Sequence, residues 1–249
     1  MKVTRNIFSI LALLCLNLGV FAQATVQKIK INGLLAEWPN LQNNKSTGTF
    51  YQFYNDQKNF YIALKLTEDT YIKKALAGGL TLSINTDGKK SIKDIYQITI
   101  APVEDYRTTR QFTSTPVKID SATQSHRKEA VTKIKELHLS GFTEIPDSII
   151  SIYNTYGIKI GAKADVKGNI NYELCIPLEQ LKLVANNKNE VAINLQFNPI
   201  NFNNNRDRGN LARNGGGYGG GRNRNGGAGN IDMLLLTVAN DFWEKYTLQ

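Results

Sequence analysis

A chain of 249 residues is long enough for one large β domain or two small ones, and its 41% apolar content can fill a core. Two cysteines, Cys15 and Cys175, exclude a disulfide framework, so stability has to come from packing. The formal net charge is +9, but much of it sits on Lys2, Arg5 and five arginines of one Gly-rich stretch, so no broad basic face is implied.

The first 22 residues have the layout of a secretory signal peptide. Lys2 and Arg5 precede an apolar run from Ile7 to Phe21, and the small residue Ala22 sets a cleavage point before Gln23. The run falls short of the roughly 20 residues a membrane-spanning helix needs. Cys15 raises a lipoprotein alternative, against which Leu13 and Leu14 stand where small residues would be wanted. The expectation is an exported protein (periplasmic, cell-surface or extracellular) whose residues 23–249 form one domain with no transmembrane segment.

Strand patterns dominate the remainder. The stretch VQKIKI places Ile29 and Ile31 on one side; TFYQFY follows, and NFYIALKL alternates Phe60, Ile62, Leu64 and Leu66 against Tyr61, Ala63 and Lys65. Leu80, Leu82 and Ile84, then Tyr96, Ile98 and Ile100, repeat the period of two. So do Tyr172, Leu174 and Ile176, and Val191, Ile193, Leu195 and Phe197. One apolar side per strand means half-buried antiparallel strands. The turn pairs Asn32-Gly33, Asn55-Asp56 and Asp87-Gly88, with Lys167-Gly168-Asn169, separate them. The predicted fold class is all-β, an antiparallel β-sandwich with a few short helices.

Helical signals are short. DTYIKKALAGG has Asp69 or Thr70 as N-cap, a face of Ile72, Ala75 and Leu76, and Gly78 as stop. RKEAVTKIKEL fits a helix or the start of a strand. Pro177 opens a single helical turn in PLEQL.

Residues 203–230 form the one low-complexity segment, rich in Gly, Asn and Arg, between the strand VAINLQF and the closing NDFWEKYTL. Arginines for phosphates and Tyr218 for stacking would suit RNA. One aromatic residue, an export signal and Asn-Gly runs that form turns argue instead for a long disordered surface loop. Nucleic acid is not an expected partner.

Chemistry-bearing motifs are few. His126 and His138 fit no metal spacing, and neither a GxSxG elbow nor a phosphate-binding loop occurs. The acidic residues fall mostly at strand ends and turns, so a two-carboxylate hydrolase has no visible pair. YQFYND concentrates Tyr51, Gln52, Tyr54 and Asn55, the aromatic and amide groups a sugar would use, and is the candidate ligand-binding stretch. Asn85 and Asp87, in NTDG, are the candidate metal pair, with calcium as the ion; an Asx turn explains them equally well.

Three stretches together resemble carbohydrate-binding module family 9: IKINGLLAEWP (Ile29 to Pro39), FYQFYNDQKNFYIALKLTED (Phe50 to Asp69) and NYELCIPLEQL (Asn171 to Leu181). GLTLSINTDGKK resembles that family's central strand and acidic turn. The resemblance implies a DOMON-like β-sandwich that binds sugar ends between aromatic rings and holds structural calcium. The chain departs from the family in having only Trp38 and Trp243, both expected in the core, so the paired stacking tryptophans have no visible counterpart. The expected function is a secreted non-catalytic carbohydrate-binding module for an envelope glycan. The alternatives are a structural or protein-interaction module of the envelope, with a protein partner, and a hydrolytic or glycoside-hydrolase-associated protein.

Overall fold

The computed structural model describes residues 29–104, 120–185, 188–201 and 234–249. The expected leader at 1–22 and the Gly-rich segment at 203–230 lie outside the described residues. A 3-10 turn (Leu35–Glu37) precedes β1 (Gln42–Asn44), β2 (Thr49–Asn55) and β3 (Asn59–Leu66). Helix α1 (Asp69–Ala77) then leads into β4 (Leu80–Asn85) and β5 (Tyr96–Ile100). After α2 (Ser121–Thr132) come β6 (Glu136–Ser140), β7 (Ile149–Ser151), β8 (Lys159–Ala164) and β9 (Ile170–Pro177). A second 3-10 turn (Leu178–Leu181), β10 (Glu190–Phe197) and β11 (Asn240–Thr247) complete the order.

The strands form two antiparallel sheets, as the period-two patterns predict. One has five strands in the order β1-β2-β3-β9-β8, the other six in the order β11-β10-β4-β5-β6-β7. Alternate residues of both sheets meet in one core: Phe60, Ile62, Leu64 and Leu66 of β3 and Tyr172, Leu174 and Ile176 of β9 come from the first. Leu80, Leu82 and Ile84 of β4 and Ile193, Leu195 and Phe197 of β10 come from the second. The apolar face of α1, Ile72, Ala75 and Leu76, joins them, as do Ala130 and Val131 of α2. The ambiguous RKEAVTKIKEL resolves into both of its readings, since α2 ends at Thr132 and β6 begins at Glu136. Among the described residues, no helix is long and apolar enough to cross a membrane.

The expected first strand is a correction. Residues 29–31 are irregular, and Ile29 and Ile31 pack with Leu35, Leu41 and Trp38 against the outer face of the five-stranded sheet, on Tyr61, Ala63 and Cys175. A buried carboxylate pins this cover down. Glu173, fully buried on the outward side of β9, accepts hydrogen bonds from the backbone N–H groups of Asn32 (2.8 Å) and Gly33 (2.7 Å) through Oε2. Its Oε1 accepts from the Trp38 indole Nε1 at 2.7 Å. A buried carboxylate needs such donors, because without them its desolvation would be uncompensated. The approach is tight enough to demand glycine twice. Gly33 has φ +75°, and a Cβ there would lie 2.7 Å from the Ala162 carbonyl carbon; a Cβ on Gly161 would lie 2.7 Å from the N atoms of Asn32 and Gly33.

A second clamp holds the chain on either side of the Gly-rich segment. Lys74, fully buried in α1, donates to the Leu235 carbonyl at 3.0 Å, the Val238 carbonyl and Asn240 Oδ1. An ammonium has three donors, and these are three acceptors. Burial lowers the Lys74 pKa to about 8, which keeps it mostly charged at neutral pH. The Ile200 N–H donates to the Leu236 carbonyl at 2.8 Å, and Ala77, Ile200 and Leu236 form a small apolar cluster. The two ends that flank residues 202–233 are thus tied to each other.

Two outcomes follow from these clamps. Glu173→Gln, which turns an amide donor toward one of the three donors, is expected to lower unfolding free energy by about 3 kcal/mol in urea titrations; an unchanged midpoint would remove Glu173 from its anchoring role. Deleting Asn203 to Asn230 and closing the gap with a short linker is expected to leave one cooperative thermal transition, and loss of cooperativity in calorimetry would show that the segment is needed for folding.

Candidate functional site

The four residues of YQFYND do not share a surface, because successive residues of β2 point to opposite faces. Tyr51 lies in the core with 6% of its surface exposed, against Phe53 and Phe242, and its hydroxyl donates to Gln42 Oε1 at 3.0 Å. Burial, with Glu244 alongside, pushes that hydroxyl up to about 12. Asn55 is buried and occupied: its Nδ2 donates to the Asp56 and Gln249 carbonyls, and its Oδ1 accepts from Tyr246 Oη and the Gln249 N–H. Gln52 and Tyr54 point to the other side. Gln52 Oε1 accepts from the Asn40 N–H at 3.0 Å, and Tyr54 stacks on Tyr61 with centroids 5.9 Å apart.

Asn85 and Asp87 sit at the β4 turn. Asn85 is buried, and its Oδ1 accepts from the N–H groups of Asp87 (3.0 Å) and Lys89 (3.2 Å). Its Nδ2 donates to the Ser91 and Lys93 carbonyls. Asp87 pairs with Lys89 at 3.1 Å on the surface. The Asn85 oxygen that a calcium ion would need is therefore turned to the backbone of its own turn. No group of three or more His, Cys, Asp or Glu side chains suited to a metal occurs among the described residues. Cys175 is buried, and burial pushes its thiol up to about 11.

The structure assembles a different surface, on the outer face of the six-stranded sheet. While the outer face of the five-stranded sheet is covered by the segment around Trp38, the outward residues of β11, β10, β4, β5 and β6 are almost all polar. Pairing registers align them into two rows. One runs Trp243, Asn194, Ser83, Gln97, Ser140. The other runs Asp241, Gln196, Thr81, Thr99, His138. Trp243 corrects the core expectation: it is half-buried and belongs to no core cluster, because Phe242 and Tyr246 take the inward positions of β11.

The short side chains of the central strands form a floor that fixes longer neighbours. Gln97 Nε2 donates to Ser83 Oγ at 3.1 Å. Asn194 Nδ2 donates to Asp241 Oδ2 at 2.6 Å and to the Phe242 carbonyl at 3.2 Å. The hydroxyls of Thr81 and Thr99 are 2.9 Å apart, and Gln196 Nε2 donates to Asn198 Oδ1 at 2.9 Å. Ser83, Asn194 and Thr81 are buried, while Trp243, Gln97, Thr99 and Gln196 are half-buried and Asp241 is exposed. Of these, the residues left with exposure are Trp243, Gln97, Gln196, Thr99 and Asp241, and Gln97, Thr99 and Asp241 are bonded to the buried Ser83, Thr81 and Asn194.

Sequence reasoning missed this face. Thr81, Ser83, Gln97, Thr99, Asn194 and Gln196 stand as the polar partners in period-two patterns, but solvent-facing polar residues are ordinary in such strands, and only the register shows which of them lie side by side with Trp243. Compared with protein-family models, curated proteins and solved structures, the chain has no match.

The turn beside Tyr54 supplies a pH test. Burial raises the Asp56 carboxyl, but hydrogen bonds from the Lys58 N–H, the Tyr61 hydroxyl and the Asn59 N–H outweigh it and leave the pKa below the usual value. A depressed folded-state pKa gives stability that is complete above the unfolded value, about 4, and lost as pH falls through the folded one. The melting temperature is expected to fall below about pH 4, and less steeply in Asp56→Asn; equal slopes would show that Asp56 does not contribute to the acid limb.

Proposed function

We propose that this protein is a non-catalytic carbohydrate-binding module whose binding surface is the outer face of the six-stranded sheet. The observation that carries the proposal is the row in which the half-buried Trp243 aligns with Asn194, Ser83 and Gln97. A pyranose has a C–H face that packs on an aromatic ring and a rim of hydroxyls that bond amides and carboxylates. Trp243 supplies the ring. Asp241, with its second oxygen held by Asn194, and Gln97, held by Ser83, supply the polar partners. The family 9 resemblance of the sequence and the leader-like residues 1–22 support the same reading, which places the protein in an exported compartment facing envelope or extracellular glycans.

This differs from the aromatic-pair site implied by the resemblance. The ligand meets a single tryptophan at the sheet edge, and Trp38, bonded to Glu173, serves the fold.

The chain has two tryptophans, one of them buried as Trp38, so fluorescence isolates the proposed contact. A sugar panel titrated against residues 23–249 is expected to shift the emission saturably. Trp243→Phe is expected to abolish that shift, and Trp243→Ala to weaken calorimetric affinity at least tenfold, about 1.4 kcal/mol, without changing the melting temperature by more than a few degrees. Saturable binding that survives Trp243→Ala unchanged would move the site elsewhere.

A further inference from the structure

The two polar rows have a length and a charge pattern that narrow the ligand. From β11 to β6 they cross five strands, which at roughly 4.8 Å per step is about 19 Å. Neighbouring positions along a strand on one face are about 7 Å apart, so the two rows together make a strip about one ring wide. We infer that the ligand is a neutral linear oligosaccharide lying across the strands, with one end on Trp243 and its later residues over Gln97 and Thr99. This rests on the carbohydrate reading of the face.

Length argues against a single sugar. Trp243 and Gln97 lie on strands separated by β10 and β4, about 14 Å apart by strand spacing. One ring on the tryptophan cannot also bond the Gln97 amide. Yet Gln97 is fixed by Ser83 at 3.1 Å, and the Thr99 hydroxyl by Thr81 at 2.9 Å, in the same manner as Asp241 is fixed by Asn194. The same device recurs on β11 and on β5, three strand steps apart.

Charge argues against uronates and sulfated chains. An anionic glycan needs guanidinium or ammonium donors at regular intervals. The outward positions of β4 and β5 carry Thr81, Ser83, Asn85, Gln97 and Thr99, none of them charged. On β10 the outward Glu190 is paired with Lys245 of β11 at 2.6 Å. The Lys90 ammonium donates to the Trp243 carbonyl at 3.0 Å and so stands at one margin, not at intervals along the strip; Asp241 on that margin and the His138–Glu136 pair on the other, 3.1 Å apart, carry carboxylates that would repel a polyanion.

The test is calorimetry on residues 23–249 with cello-, xylo- and manno-oligosaccharides of one to six residues, and with oligogalacturonates as the anionic series. In at least one neutral series, affinity is expected to rise tenfold or more from one residue to four and then level off. Gln97→Ala is expected to cost roughly five- to tenfold with the tetrasaccharide and little with the monosaccharide. Trp243→Ala is expected to weaken every length. Equal affinity for one and four residues would overturn the extended strip and leave the carbohydrate reading intact. Tighter binding of the oligogalacturonates would overturn the neutral ligand. Absence of heat with every sugar would overturn the carbohydrate reading itself, and the strip with it.

Discussion

The structure depends on a carboxylate with no access to water. Glu173 stands on the outward side of β9, near the middle of the five-stranded sheet, where an ionised side chain would be costly without partners. Three N–H donors satisfy it, two from the Asn32-Gly33 turn and one from Trp38. Those bonds fix the path of the chain from Ile29 to Leu41 across the sheet, and the path in turn buries Tyr61, Ala63 and Cys175. Polar chemistry thus decides where an apolar cover lies. One outer face of the sandwich is covered in this way, while the outward residues of the other are mostly polar.

A buried lysine has the matching role at the far end of the chain. Lys74 gathers two carbonyls and Asn240 Oδ1 around its ammonium. Asn240 is the first residue of β11, so the clamp sets where that strand begins and, through its eight-residue register with β10, which side chains face outward. A shift of one residue would send Trp243 into the core and Phe242 to the surface. The position of the proposed stacking ring is therefore tied to a lysine that lies in the interior of α1, far away in sequence.

Most of the fold was legible because a half-buried strand writes its burial into its sequence with a period of two. The runs beginning at Phe60, Leu80, Tyr172 and Val191 all became strands with the expected residues inward. The short strands β1, β7 and β8 were not legible, since three residues, or a strand containing Gly161 and Lys163, carry too little contrast. The stretch around Ile29 and Ile31 misled for the opposite reason. Its apolar alternation is real, but it serves packing on a sheet rather than pairing within one.

Site chemistry was less legible than fold. The local concentration of Tyr51, Gln52, Tyr54 and Asn55 is divided by the pleat, and Tyr51 and Asn55 are spent on the core and the C-terminus. The sequence by itself determined the sheet class, the inward residues of the long strands, the turns, the helix that begins at Asp69 and the helical turn that follows Pro177, because these follow from local periodicity and backbone preference. Tertiary structure alone decided which outer face is covered and which polar residues stand side by side. Asn194, Ser83 and Gln97 come from strands far apart in the chain, and only hydrogen-bonded register between strands brings them into one row with Trp243.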